Sequence, residues 1–101
     1  MLIATNGEFE SPVRIYHWWP EKGWWSNCPI PSFLVKEARQ KGSRYLTYVE
    51  TEGELDGNYG WIAACAICSP RDFPSRKMGR TIALGRLQKK LKFFGMRMEE
   101  R

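Results

Sequence analysis

Short runs rich in apolar and aromatic residues, separated by polar turn residues, make the first half of the chain read as strands. LIAT (2–5) and EFES (8–11) flank Asn6-Gly7, a dipeptide that supplies the positive φ values of a two-residue hairpin turn. VRIYHWW (13–19) and GWW (23–25) flank Pro20-Glu21-Lys22-Gly23, which predicts a second hairpin with Trp19 opposite Trp24. The pattern then changes. Ser32 reads as the N-cap of a short amphipathic helix with FLVKEARQK (33–41) as its body and Gly42 as its stop. RYLTYVE (44–50) and YGWIAACAIC (59–68) form another antiparallel pair across the turn-rich EGELDGN (52–58). The second member is nearly all apolar after Gly60, the pattern of a central strand covered on both faces. Asp72-Phe73-Pro74 breaks that strand and leads to a helix capped by Ser75 and running to about Leu91. The sum is an α+β fold: an antiparallel sheet built from hairpins in the N-terminal two-thirds, a short middle helix, and a basic C-terminal helix packed on the sheet.

The last helix contains a puzzle. SRKMGRTIALGR (75–86) holds Gly79 and Gly85, each of which costs a helix about 1 kcal/mol relative to alanine. At about 100° per residue, Ala83, Leu84, Leu87 and Leu91 share one apolar stripe, and Arg80 projects from its middle, so Arg80 is expected to face the core or a pocket. Gly79 and Ala83, one turn apart, leave a hollow beside the stripe, with Arg86 next to it. Two guanidiniums beside close-approaching backbone suit a carboxylate or a phosphate. The other reading pairs Arg80 with an internal acid such as Asp72, while the glycines admit a tightly packed neighbour.

Composition narrows the class. The chain has 101 residues, enough for one domain over 1–101, and 43% hydrophobic content argues against disorder. No apolar run reaches the length of a membrane span, and MLIATNGEFE lacks the features of a secretory signal, so a cytoplasmic protein without membrane partners is expected. Three cysteines fit a reducing compartment. Residues 1–70 hold six Lys/Arg against eight Asp/Glu, a balance of −2, whereas residues 71–101 hold ten against three, or +7. An anionic partner would meet the C-terminal third, although Lys89, Lys90 and Lys92 read as a solvated face. The tail FFGMRMEER places Phe93, Phe94, Met96 and Met98 too close to the end to bury easily. That apolar surface predicts docking on the domain or on a second subunit, hence a homodimer or higher homo-oligomer.

Catalytic constellations are weak. Cys65-Ala-Ile-Cys68 has zinc-like spacing, with Cys28 and His17 as further candidates, but apolar Ala66-Ile67 lies in a strand, where residues three apart face opposite sides. The cysteines are expected to be structural, with no metal and no cofactor. His17 stands alone between Tyr16 and Trp18, and Glu50, Glu52, Glu54 and Asp56 read as a solvated turn. A binding protein is therefore favoured over an enzyme. Four tryptophans within eight residues, Trp18 to Trp25, read either as cross-strand packing or as a platform for a base or a partner. Tyr16, Trp18 and Trp24 are the stacking candidates.

CSPRDFPSRKMGRTIALGR (68–86) contains an acid and an aromatic, a basic pair, and two Gly-Arg steps six residues apart. This D-F-x-x-[RK]-K-x-G-R-x-I-A-x-G-R segment resembles small phage-encoded proteins of the anti-Thoeris sponge family, the first described type of Thoeris anti-defence protein. The resemblance covers residues 68–87; elsewhere it is an order of elements. It implies an α+β fold that dimerises and assembles dimers into hexamers, with pockets shared between chains. It implies sequestration, without cleavage, of a cyclic ADP-ribose isomer made by an infected host, in the host bacterial cytoplasm. Arg80 and Arg86 match its two arginines and would hold the pyrophosphate; Asp72 and Phe73 match the acid and aromatic, and Gly79 lies between them and the arginines. Two other classes compete: a nucleic-acid binder using the basic C-terminal helix, and a protein inhibitor docking on a host enzyme through the tryptophans.

Overall fold

The computed structural model describes residues 1–20, 29–73 and 75–101. In chain order these form β1 (Leu2–Thr5), β2 (Glu10–Pro12), β3 (Arg14–Trp18), α1 (Ser32–Gln40), β4 (Leu46–Leu55), β5 (Asn58–Ile67), α2 (Arg76–Lys92) and β6 (Arg97–Glu100). The fold is α+β. Two three-stranded antiparallel sheets are present among the described residues, ordered β2-β1-β6 and β3-β4-β5. The predicted pairing of residues 13–19 with residues 23–25, and with it the Trp19–Trp24 contact, lies outside the described residues. The partner that β3 has is β4, with Tyr16 opposite Tyr48 and Trp18 opposite Leu46.

Turn chemistry fixes the hairpins, with the two-residue turn in a different place from the one expected. Thr5 pairs with Glu10, so the first hairpin has a four-residue loop. The Asn6 side chain organises it, its Oδ1 accepting from the backbone N–H of Glu8 (2.9 Å) and Phe9 (2.8 Å). The tight turn is Asp56-Gly57, where φ is 52° and 80°, and Leu55 faces Asn58 across it. EGELDGN is thus mostly strand: β4 continues through Glu50, Glu52 and Glu54 to Leu55, because the two positive-φ residues alone reverse the chain.

Both faces of the β3-β4-β5 sheet are covered. On one, α2 sets Ala83, Leu87 and Leu91 against Val49, Ile62, Ala64 and Ala66, and Ala4 and Met96 join the second sheet to the same core. On the other, α1 covers Trp18, Leu46 and Tyr48 with Ala38. The doubly buried central strand is therefore β4, and β5, expected in that place, is an edge. Thr47 and Thr51 satisfy the alternation of β4 although they are polar, and both are fully buried.

The helix ends follow local chemistry. Ser75 caps α2, its hydroxyl accepting from Met78 N–H at 3.2 Å. In α1 the N-cap is Pro31, and Ser32 is the first helical residue with no side-chain cap bond. Gly42, at φ 74°, ends α1 in a Schellman motif: Ser43 N–H donates to Ala38 O and Gly42 N–H to Arg39 O. The tail is accommodated by its own chain. Gly95 turns at φ 66°, β6 pairs with β1, Met96 is buried, and Phe94 and Met98 pack against the core, leaving Phe93 exposed. Of the two dockings expected for the tail, the one on the chain's own domain is present. No described helix is long and apolar enough to cross a membrane.

Candidate functional site

Gly79 sets how α2 sits. A Cβ on it would come within 2.9 Å of Tyr45 Cε1 and closer still to Thr47 Oγ1, both on buried residues. The buried stripe is consequently Gly79, Ala83, Leu87 and Leu91, with Leu84 only half-buried on its flank. Gly79 thus takes the seat against β4, and the helix is rotated relative to the stripe read from the sequence. Gly85 is exposed and has open space around its Cα.

That rotation decides where the arginines stand. Six residues at about 100° each place Arg80 and Arg86 about 120° apart, on opposite flanks of the face centred on Ala83. Arg80 is exposed rather than core-facing, and lines a cleft of about 480 Å³ with His17, Arg76, Lys77, Thr81 and Leu84. It has no ion pair among the described residues, so the pairing with Asp72 does not occur there. Arg86 leans the other way: its Nη1 donates to Cys65 O on β5 at 2.8 Å.

Asp72, Phe73 and Gly79 line a second cavity, of about 460 Å³, beside Arg86's flank of the helix; Tyr45, Met78 and Ile82 complete much of its apolar wall. Phe73 is 93% exposed at its rim. The motif residues thus separate into two groups, Asp72, Phe73 and Gly79 with Arg86 farther along the same flank, and Arg80 across the helix. Of the stacking candidates, Trp18 is buried beneath the Arg39 guanidinium, 5.8 Å from its ring centre, and Tyr16 stacks on Tyr48 with centroids 6.4 Å apart. Both serve packing. Trp24 lies outside the described residues.

A further group, which no local sequence pattern marks, lies behind Arg80. Tyr45 Oη lies 2.5 Å from His17 Nδ1, and Thr47 Oγ1 lies 3.2 Å from the same nitrogen. A phenol and a hydroxyl each donate and accept, so both oxygens can bond Nδ1 in either ring tautomer. Burial, then the charges of Arg76 and Arg80, lower the His17 pKa below its ordinary 6.5. Burial also raises that of Tyr45. The imidazole is thereby kept neutral beside the cations. No local pattern links residues 17, 45 and 80, which are brought together by β3-β4 pairing and helix packing.

This arrangement has a consequence for stability. Because the folded pKa of His17 is depressed, the unfolded chain takes up its proton first, and the residue's contribution is full above pH 6.5 and lost as pH falls through the folded value. Urea denaturation of the protein and of His17→Gln at pH 7.5 and 5.5 should show the larger acid loss in the unsubstituted chain. A larger loss in His17→Gln would contradict the neutral assignment.

The cysteine pair offers little chemistry. Cys65 lies in β5 and Cys68 beyond its end, and burial is the main cause that raises both thiols above their ordinary value. Cys28 is outside the described residues, among which no group of three His, Cys, Asp or Glu side chains could hold a metal. Nor are the acids of 50–56 a solvated loop: Glu50 accepts from Tyr48 Oη at 3.1 Å, and Glu54 accepts from Asn6 Nδ2 at 2.8 Å and Gly57 N–H at 2.9 Å. Comparison of the chain with protein-family models, curated proteins and solved structures found no match.

Proposed function

We propose that this is a non-catalytic binding protein that sequesters a cyclic ADP-ribose-type nucleotide signal, serving a phage as counter-defence in the cytoplasm of its bacterial host. The observation that carries the reading is the cleft at the start of α2, lined by His17, Arg76, Lys77 and Arg80, of which Arg80 is exposed and has no ion pair among the described residues. The Arg80 guanidinium offers the fork that fits phosphate oxygens, with the Lys77 ammonium beside it as a further cation. Across the helix, the cavity lined by Tyr45, Phe73, Met78 and Ile82 provides apolar walls for a ring, with the Asp72 carboxylate as an acceptor for hydroxyl or amino hydrogens. The resemblance of residues 68–87 to the sponge family supports the same ligand class. Since Arg80 and Arg86 occupy opposite flanks, a ligand held by both arginines would be shared between two chains of a homo-oligomer.

A second reading draws on the spread of cations along α2. Arg76, Lys77, Arg80, Arg86, Lys89, Lys90 and Lys92 all belong to this one helix, a distribution suited to tracking a nucleic-acid backbone. Titration with cyclic ADP-ribose and with a single-stranded oligonucleotide at two salt concentrations separates the two. A backbone tracker with six or more phosphate contacts loses roughly a thousandfold or more between 50 and 200 mM salt. The sequestration reading expects nucleotide binding with a much shallower dependence. Steep oligonucleotide binding with no affinity for the cyclic nucleotide would replace it.

A further inference from the structure

We propose that two copies of this chain pair antiparallel through the outer edge of β5, over residues 58–62, about a twofold axis at Gly60. With Leu55 and Asn58 as the pair that closes the two-residue turn, the residues whose backbone groups bond to β4 are the even-numbered ones, and those at 59, 61, 63, 65 and 67 point outward. Two of these outward carbonyls are capped by the chain's own helix: Lys90 Nζ donates to Ala63 O at 2.5 Å and Arg86 Nη1 to Cys65 O at 2.8 Å. These cations close half of the edge to further pairing. Tyr59 and Trp61 lack such caps, and their backbone groups make no cross-element bond among the described residues.

The open half has the properties of a self-complementary edge. In a twofold pairing at Gly60, Tyr59 stands directly opposite Trp61 of the other copy and exchanges both backbone hydrogen bonds with it, and the symmetric pair does the same. The two side chains share a face, are 62% and 64% exposed in the single chain, and form an aromatic cross-strand pair twice over. Phe93, 86% exposed, extends the apolar rim at the end of α2 beside Trp61 and Lys90. Charge fits the same register. At each end of the paired segment, where residue 58 of one copy meets residue 62 of the other, the acidic Asp56-Gly57 turn lies toward the Lys90 that caps Ala63 of the other copy. Gly60 sits on the axis with nothing within 4 Å of where its Cβ would be. The result is a continuous six-stranded sheet whose pairing stops where the helix cations begin.

The test uses the full chain without nucleotide, so its result is independent of the ligand reading. Light scattering at about 10 μM should report twice 11.8 kDa. Trp61→Pro removes an outward N–H that β4 does not use, and should raise the dimer dissociation constant by at least about tenfold with the circular dichroism spectrum unchanged. Gly60 and its symmetry mate form a non-hydrogen-bonded pair, close enough for a disulfide, so Gly60→Cys should give a covalent dimer on mild oxidation that the unsubstituted chain, treated alike, does not. A monomeric chain would overturn the proposal. So would a dimer that Gly60→Cys fails to cross-link, whether or not Trp61→Pro folds.

Discussion

Gly79→Leu should cost at least about 3 kcal/mol of stability, and with it roughly 12 °C or more of melting temperature for a domain of this size. The side chain would be driven into Tyr45 and Thr47, which have no room to retreat: Thr47 is fully buried and β-branched, its hydroxyl lies against His17, and Tyr45 is held to the same imidazole. Gly85→Ala should do the opposite. That position is exposed in mid-helix with open space beside it, so the substitution should stabilise by up to about 1 kcal/mol. Thermal melts of the two variants check both signs. A neutral Gly79→Leu would mean that α2 is not seated on β4 as described. The two glycines therefore have different physical meanings, one a point of contact and the other a position where the fold itself makes no demand.

How much of this was legible follows from how local each cause is. The start of α2 could be read from Ser75, and the end of α1 from Gly42, since caps act within a few residues. The hairpin turn at Asp56-Gly57 was present in the letters but hidden in a segment whose glutamates suggested loop; only their pairing with β5 makes them strand. Choosing the central strand failed for a different reason. YGWIAACAIC is the more apolar run, yet burial on both faces belongs to RYLTYVE, because α1 and α2 both pack over β4 and threonines can fill buried sheet positions. β6 carried almost no signal, since RMEE gains its strand from β1. The candidate site was legible as a set of residues and not as a geometry. The six-residue spacing already set Arg80 and Arg86 about 120° apart, and the seat of Gly79 against Tyr45 and Thr47 turned that pair so that they flank the face centred on Ala83, with Arg80 exposed. His17 could not be assigned a role until β3 lay beside β4.

Arg80→Ala should weaken binding of cyclic ADP-ribose by at least about tenfold, the effect of losing charge-assisted hydrogen bonds worth roughly 1.5–3 kcal/mol. Folding stability should stay within about 0.5 kcal/mol, because the side chain is exposed and has no ion pair among the described residues. Were Arg80 half of a buried pair, the same substitution would cost roughly 3–5 kcal/mol. Arg86→Ala should also weaken binding, and in addition frees Cys65 O on the edge of β5. Calorimetric titration paired with urea denaturation reads the two quantities on each variant. Unchanged affinity in Arg80→Ala, with Arg76 and Lys77 still present, would remove this arginine from the anion site.

The central claim is that a cyclic ADP-ribose-type signal is held and not consumed. Incubating the full chain with such a nucleotide, removing free ligand, denaturing the protein and analysing the released material by mass spectrometry addresses both halves at once. The account predicts that nucleotide is retained in proportion to protein and is recovered at its original mass with the ring intact. Retention of nothing would deny the binding, and recovery of an opened or hydrolysed product would make this protein an enzyme.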